Sequence, residues 1–411
     1  MTEYTNTPEL RFPEFKDEWK LQKLGNLAQF SKGKSLSKKD LNINGTPCIL
    51  YGELYTKYGA ILNKVYSKTS TQNDSLVFSK RNQILIPSSG ETDIDIATAT
   101  AIDTDVKIAV GGDLNIITPI NSDGRFISLY INGKGKYNLA KYAQGKSVVH
   151  LYNSDIKKLN FYLPTNMVEQ KKIGDFFSKL DQQIELEEKK LELLEQQKRG
   201  YMQKIFSQEL RFKDENGNAY PKWEEIKLKE ILEVSKRKNT DSNYDHNDVL
   251  SVSREFGVIN QIKYHGRSFA AKSVKNYKVV KPNSLIYTKS PLKGAPYGIF
   301  KVSFKNGIVS PLYAVYESNN KYITNFISRI FEFDNIITYY LSKLVSKGAK
   351  NTINVTDEMA ISGKISIPQD ENEIQDIINF FDTFDKLLIK QNEKINNLKQ
   401  LKQGLLQKMF V

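Results

Sequence analysis

The side chains able to do covalent or metal chemistry are few in this chain, and they are scattered. There is one cysteine, Cys48, and there are three histidines, His150, His246 and His265. None lies near another in sequence, so neither a zinc set nor a Cys–His nucleophile pair has its ligands. Cys48, inside the apolar run Pro47-Cys48-Ile49-Leu50, reads as a small buried residue. Gly145-Lys146-Ser147 ends like a phosphate-binding loop, but Ala140 stands where that loop needs its first glycine. Acidic-x-Lys triplets such as Glu187-Glu188-Lys189 fall in a helical pattern and read as solvated surface. HExxH, GxSxG, GxGxxG and EF-hand spacings do not occur, nor does the Asn/Asp-Pro-Pro-aromatic signature of amino-methyltransferases. No catalytic residue, metal site or cofactor is therefore expected on this chain.

Charge is the stronger signal. The net charge is +13, from 60 basic and 47 acidic side chains, and it is unevenly placed. Residues 169–206 hold 8 of each sign, and 370–411 hold 6 basic against 7 acidic. Residues 1–168 carry 21 basic against 16 acidic, net +5, and 207–369 carry 25 against 16, net +9. An excess confined to globular stretches is the footprint of a nucleic-acid binder. Hydrophobic residues are 39% and charged residues 26%, a soluble globular composition, and 411 residues suffice for two cores. The polar start MTEYTNTPEL is not a secretory signal, and no run of about 18 apolar residues could span a membrane. With a single cysteine there is no disulfide framework, so the expected location is cytoplasmic, away from membranes.

The chain repeats itself at an offset of 204. Leu163–Phe206 aligns without a gap on Ile367–Phe410, matching Pro164 with Pro368, Glu169 with Glu373, Phe176-Phe177 with Phe380-Phe381 and Asp181 with Asp385. Leu10-Arg11-Phe12 recurs as Leu210-Arg211-Phe212, Trp19 as Trp223, and Ser31-Lys32-Gly33-Lys34 as Ser235-Lys236-Arg237-Lys238. Between these matches the halves diverge into short β-branched and aromatic runs broken by Gly, Asn and Asp, an α+β or mostly-β texture. Lys80–Pro87 and Lys281–Tyr287 both look like a turn entering a buried strand, and helices are expected near 137–144 and 335–347.

Two long helices close the halves. Leu180, Ile184, Glu187, Leu191, Leu194, Lys198, Tyr201 and Ile205 advance by alternate steps of four and three. Phe384, Leu388, Gln391, Ile395, Leu398, Lys402, Leu405 and Met409 do the same, so both are heptad seams with polar defects at matching layers. A parallel pair would set Lys198 against Lys402. An antiparallel pair with Glu187 on Lys402 and Lys198 on Gln391 satisfies every polar layer and is the expected arrangement. It also places Val411 near the N-terminal segment, as in a closed two-unit ring cut once.

With these features in view, the chain resembles the specificity subunit of Type I restriction–modification systems. The resemblance rests on duplicated halves ending LP…EQ…FF…LD in the first copy and IP…E…FF…FD in the second, each before a heptad helix and QKIF or QKMF, on the opening LRFPEF…W, and on GKSVVHLYNSDIKKLNFYLP. It implies an α+β chain with two similar globular target-recognition domains, separated by two long antiparallel coiled-coil helices in a pseudo-twofold internal repeat. The implied boundaries are 1–165 and 207–368 for the recognition domains, and 166–206 and 369–411 for the conserved spacer helices. It further implies that double-stranded DNA is read as a bipartite site and that two modification subunits dock. Those subunits bind S-adenosylmethionine and methylate adenine, and restriction (endonuclease/translocase) subunits join to cleave. The second copy departs from the first at GAKNTINVTDEMAISGKISIP.

Phosphate anchoring calls for Lys, Arg, Ser, Thr and backbone donors in loops, and base reading for longer polar side chains. The candidates are Lys32, Lys34, Lys38 and Lys39, with Lys236, Arg237 and Lys238 as their duplicates. Ser88, Ser89, Thr92, Lys289 and Lys293 follow the two turn-to-strand signals. Lys146 and Ser147, then Lys347, Lys350, Asn351 and Thr352, precede the final strands. The rival readings are a solitary specificity-like subunit of a fused restriction system and a coiled-coil adaptor that binds proteins only.

Overall fold

The repeat returns as strand pairs at the same offset. Lys20–Lys23 pairs antiparallel with Asn160–Leu163, and Glu224–Lys227 pairs with Lys364–Ile367, every residue 204 positions on. The computed structural model describes residues 6–34, 36–62, 64–71, 74, 76–292, 294–347 and 353–411. They pack as two units, 1–190 with 391–411, and 191–390. Among the described residues no helix is long and apolar enough to cross a membrane.

In the first unit a five-stranded sheet runs in the order Ala28–Lys32, Leu114–Pro119, Ile84–Pro87, Thr100–Ile102, Ile61–Leu62. Ile84–Pro87 is buried throughout, as a continuous apolar run should be when both faces are covered. Asn82, at φ 73°, makes the turn before it, and its side chain accepts from the Gly124 amide at 2.6 Å. That bond helps seat helix Gly124–Asn132, whose N-terminus Asp123 caps. A second sheet of four strands holds Cys48, fully buried.

In the second unit one antiparallel sheet runs Glu233–Val234, Tyr313–Glu317, Leu285–Thr288, Phe300–Val302. Asn283, at φ 68°, turns into the buried Leu285–Thr288 as Asn82 does in the first unit. Two helices are shorter than the sequence pattern suggests. Lys136–Ala140 stops because a Gln144–His150 bridge folds the chain back. Asp334–Ser342 stops because Ser346–Lys347 is extended and pairs with Ile353–Asn354.

The long helices span Met167–Phe206 and Glu371–Lys408, 40 and 38 residues. Every seam residue predicted from the heptads is buried or half-buried. Within each unit the helices pack antiparallel, as expected, but the expected seam partners are wrong. Lys402 reaches Asp181, not Glu187, in the first unit. Lys198 reaches Asp385 at 2.7 Å, not Gln391, in the second. Glu187 accepts from the Gln391 side chain at 2.7 Å and pairs with Lys394. The helices are slipped by nearly one heptad from the expected register. The physical reason is that Asp181 and Asp385 flank the seam beside Leu180 and Phe384. Each lysine gains a full carboxylate there without placing both charges in the seam itself. The two Asp–Lys contacts are the same contact in the two repeats.

Other duplicated residues fasten the globular parts to the helices. Arg11 donates to both carboxylate oxygens of Glu169 at 2.7 and 2.8 Å, and Arg211 to those of Glu373 at 3.0 and 2.7 Å. The two glutamates are 1% and 0% exposed. Phe410 packs among Trp19, Phe126 and Phe177, and Phe206 among Trp223, Phe326 and Phe381. Leu10 N–H donates to the Lys408 carbonyl at 2.9 Å, and Leu210 N–H to that of Lys204 at 3.0 Å. The motifs LRF, W, EQ and QK(I/M)F are thus structural fasteners, and their arginine and glutamate groups already hold each other.

Candidate nucleic-acid interface

Loops above these sheets carry the candidate contacts. In the first unit Lys32 ends strand Ala28–Lys32, exposed, with its ammonium 5.7 Å from the Tyr152 ring centre. Tyr152 stacks on His150 at 6.0 Å, and His150 Nδ1 lies 3.2 Å from Ser89 Oγ. Ser89–Gly90 pairs with Val149–His150, and the Gln144–His150 bridge closes a turn presenting Lys146 and Ser147 to solvent. Gly145 turns the chain there at φ 118°, where a Cβ would lie 2.2 Å from the Val148 carbonyl oxygen. Lys32, Ser89, Lys146 and Ser147 are therefore joined through His150, Tyr152 and one short strand pair. The glycine of Ser31-Lys32-Gly33-Lys34 is needed for packing, since a Cβ on Gly33 would sit 2.1 Å from the Gly111 carbonyl oxygen.

The other first-unit candidates sit apart. Lys34 is exposed beside the four-stranded sheet, its N–H donating to Val110. Lys38 and Lys39 are exposed in a short turn of helix that Ser37 and Asp40 cap reciprocally. Ser88 is buried. Thr92 is a helix cap, its hydroxyl bonded to Asp95.

In the second unit Lys236 and Lys238 are exposed, whereas Arg237 pairs with Glu317, which also accepts from Ser235. Lys289 is drawn inward, and with Lys278 it clamps Asp357. Burial opposes that carboxylate's charge, but the two lysines win and hold it below the ordinary aspartate range. Lys347 lies in strand Ser346–Lys347. Lys293, Lys350, Asn351 and Thr352 lie outside the described residues.

Sequence reasoning passed over two exposed aromatic–basic groups. In the first unit Lys64 sits over the Tyr66 ring, which stacks on Tyr58 at 5.6 Å, with Lys68 exposed nearby. In the second, Lys263 to Phe269 alternates basic and aromatic side chains on the surface. That alternation, KYHGRSF, was the available signal. Among the described residues no cluster of three or more His, Cys, Asp or Glu could hold a metal ion.

The description "Type I restriction modification DNA specificity domain" matches residues 16–196. The Type I restriction enzyme MjaVIII specificity subunit of Methanocaldococcus jannaschii is 23% identical over 424 residues, covering 97% of this chain and 93% of that one. The crystal structure of the Type-I restriction-modification system S subunit from M. genitalium superposes with a TM-score of 0.59 at 15% identity, covering 98% and 99%. Residues 16–196 thus match the Type I specificity domain, and the whole chain shares the fold of the M. genitalium S subunit. A chain from a structure of type I R-M complex assembly and conformational transition shares the fold of this chain, with a TM-score of 0.52 at 12% identity over 96% and 97%. The likeness to the M. genitalium subunit spans both repeats, so the specificity-subunit fold extends beyond the matched segment 16–196.

Proposed function

We propose that this chain is a Type I specificity subunit that reads a split double-stranded DNA site, one half with residues 1–165 and the other with 207–368. On this reading two modification subunits dock on the chain, bring S-adenosylmethionine and methylate adenine, and restriction subunits join to cleave. The chain itself contributes no catalytic group and works in the cytoplasm. The observation that carries the reading is duplication with divergence. Strand pair, phenylalanine plug and Asp–Lys helix contact recur at offset 204, and the arginine clamp recurs with its arginine at offset 200, while the basic loops above them differ. Constant fasteners with variable loops suit two readers of unlike half-sites. A protein-only adaptor gives no reason for the basic excess to sit in those loops.

The test is co-expression with the cognate modification subunits in a host lacking adenine methylation, followed by sequencing of methylated adenines. Replacing 207–368 by the corresponding segment of another specificity subunit should change one half of the methylated motif and leave the other intact. A swap that altered both halves, or a complex that methylated no defined motif, would overturn the proposal.

A further inference from the structure

One basic and aromatic stretch of the second unit keeps its rings out of the core. Strands Leu250–Ser253 and Gly257–Asn260 form a hairpin that runs into helix Gln261–His265. That helix ends at Gly266 in the left-handed conformation, φ 72°, and the chain continues to Phe269. Phe256, Tyr264, His265 and Phe269 form a ladder of rings with successive centres 5.2, 4.8 and 5.4 Å apart. Phe256, Tyr264 and Phe269 are 53%, 49% and 56% exposed. The guanidinium of Arg267 lies 4.7 Å from the centre of the Phe269 ring. Elsewhere in the same unit Phe300, Phe326, Phe331 and Phe381 are buried. Contiguous rings left in water mark a surface that something else covers.

Charge says what covers it. Residues 254–281 hold seven basic side chains and one acidic, net +6 of the +9 carried by 207–369. Arg254 and Lys278 are committed to Asp334 and Asp357. Lys263, Arg267, Lys272 and Lys275 are exposed and meet no carboxylate among the described residues. A protein-docking face is depleted in lysine, whereas phosphate contacts require it. The array is also held in place. The Gln261 side chain donates to Ser251 Oγ at 3.0 Å and accepts from the Phe269 N–H at 2.7 Å. Asn260 caps the helix through Lys263 N–H and donates to the Asn247 carbonyl. Little ordering is therefore left for binding to cost.

We infer that the hairpin and helix around Tyr264 and Phe269 form the groove-entering part of the second unit. The two rings wedge against base steps of its half-site, and Lys263, Arg267, Lys272 and Lys275 straddle the adjacent phosphates. This rests on the proposed function, and the experiment separates the two.

The probe is a duplex carrying the motif that the wild-type complex methylates, beside one altered in the half assigned to 207–368 by the segment swap. Both are titrated against the complex with its modification subunits across a salt series. Tyr264→Ala with Phe269→Ala should weaken binding to the cognate duplex about tenfold or more, and should erase discrimination between the two probes. Discrimination at the other half-site should persist, which a misfolded chain could not deliver. Lys263→Ala and Arg267→Ala should each flatten the salt dependence by about one unit. Wild-type binding with unchanged affinity, discrimination and salt slope in all three variants would overturn the inference and leave the proposed function standing. So would variants that bind DNA normally but lose modification subunits, because the array would then be a protein-docking face. A wild-type complex that bound no duplex would overturn the proposed function, and the inference with it.

Discussion

If Lys402 is held by Asp181, reversing the two charges together should be tolerated where reversing either alone is not. The two side chains are 19% and 27% exposed, between an open surface pair and a buried one. At an effective dielectric near 20, contact attraction is roughly 4–5 kcal/mol before desolvation and lysine ordering are subtracted. Exposed pairs retain about 1 kcal/mol at most, and stranding one member of a buried pair costs about 3–5 kcal/mol. Asp181→Lys or Lys402→Asp alone should therefore cost about 2 kcal/mol, and the double variant should recover most of it, a coupling of about 2–4 kcal/mol. The chain has two tryptophans, one in each unit, so urea unfolding can be followed by fluorescence unit by unit. Trp223→Phe leaves Trp19 as the reporter of the first unit, and it forfeits no hydrogen bond, since the Trp223 indole N–H has no partner. A coupling below about 0.5 kcal/mol would refute the Asp181–Lys402 contact. A larger coupling between Glu187→Lys and Lys402→Glu would restore the register expected from the seam alone.

Two further outcomes follow from the fasteners. Arg11→Ala should destabilise the first unit by about 3–5 kcal/mol, because it strands the buried Glu169 carboxylate with only the Trp19 indole N–H at 3.3 Å; a loss under about 1 kcal/mol in the same unfolding assay would refute the clamp. Asp385, although burial opposes its charge, is held below its ordinary pKa of 3.8 by Arg329 and Lys198. Its contribution is complete above about pH 5 and is lost as pH falls through 3.8 and then through the lower folded value, so Asp385→Asn should flatten the acid limb of stability followed by Trp223.

The helices were legible because heptad spacing encodes burial directly, and every seam residue from Leu180 to Met409 is covered. Their register was not. Matching seam residues only to seam residues overlooks Asp181 and Asp385, which lie one position outside it and supply the better partners. Asn82 and Asn283 announced their turns, because a left-handed residue before a β-branched run has few alternatives. The candidate interface was legible as charge but not as geometry. Sequence does not tell Lys289, turned inward to Asp357, from Lys236, which faces solvent. Tyr264 and Phe269 were passed over because aromatic residues default to the core, and only their exposure gives them another meaning.

Phe410 also sets an order of events during synthesis. The first unit places Trp19, Phe126 and Phe177 around a side chain made some 230 residues after Phe177, whereas the second unit is one uninterrupted stretch, 191–390. At roughly 5–20 residues per second, the first unit waits about 12–47 s with an aromatic socket unfilled, and it must then close a loop through 200 intervening residues. The unit that begins first is thus completed last. During that interval its open socket is the surface most exposed to aggregation, and the one a nascent-chain chaperone would cover.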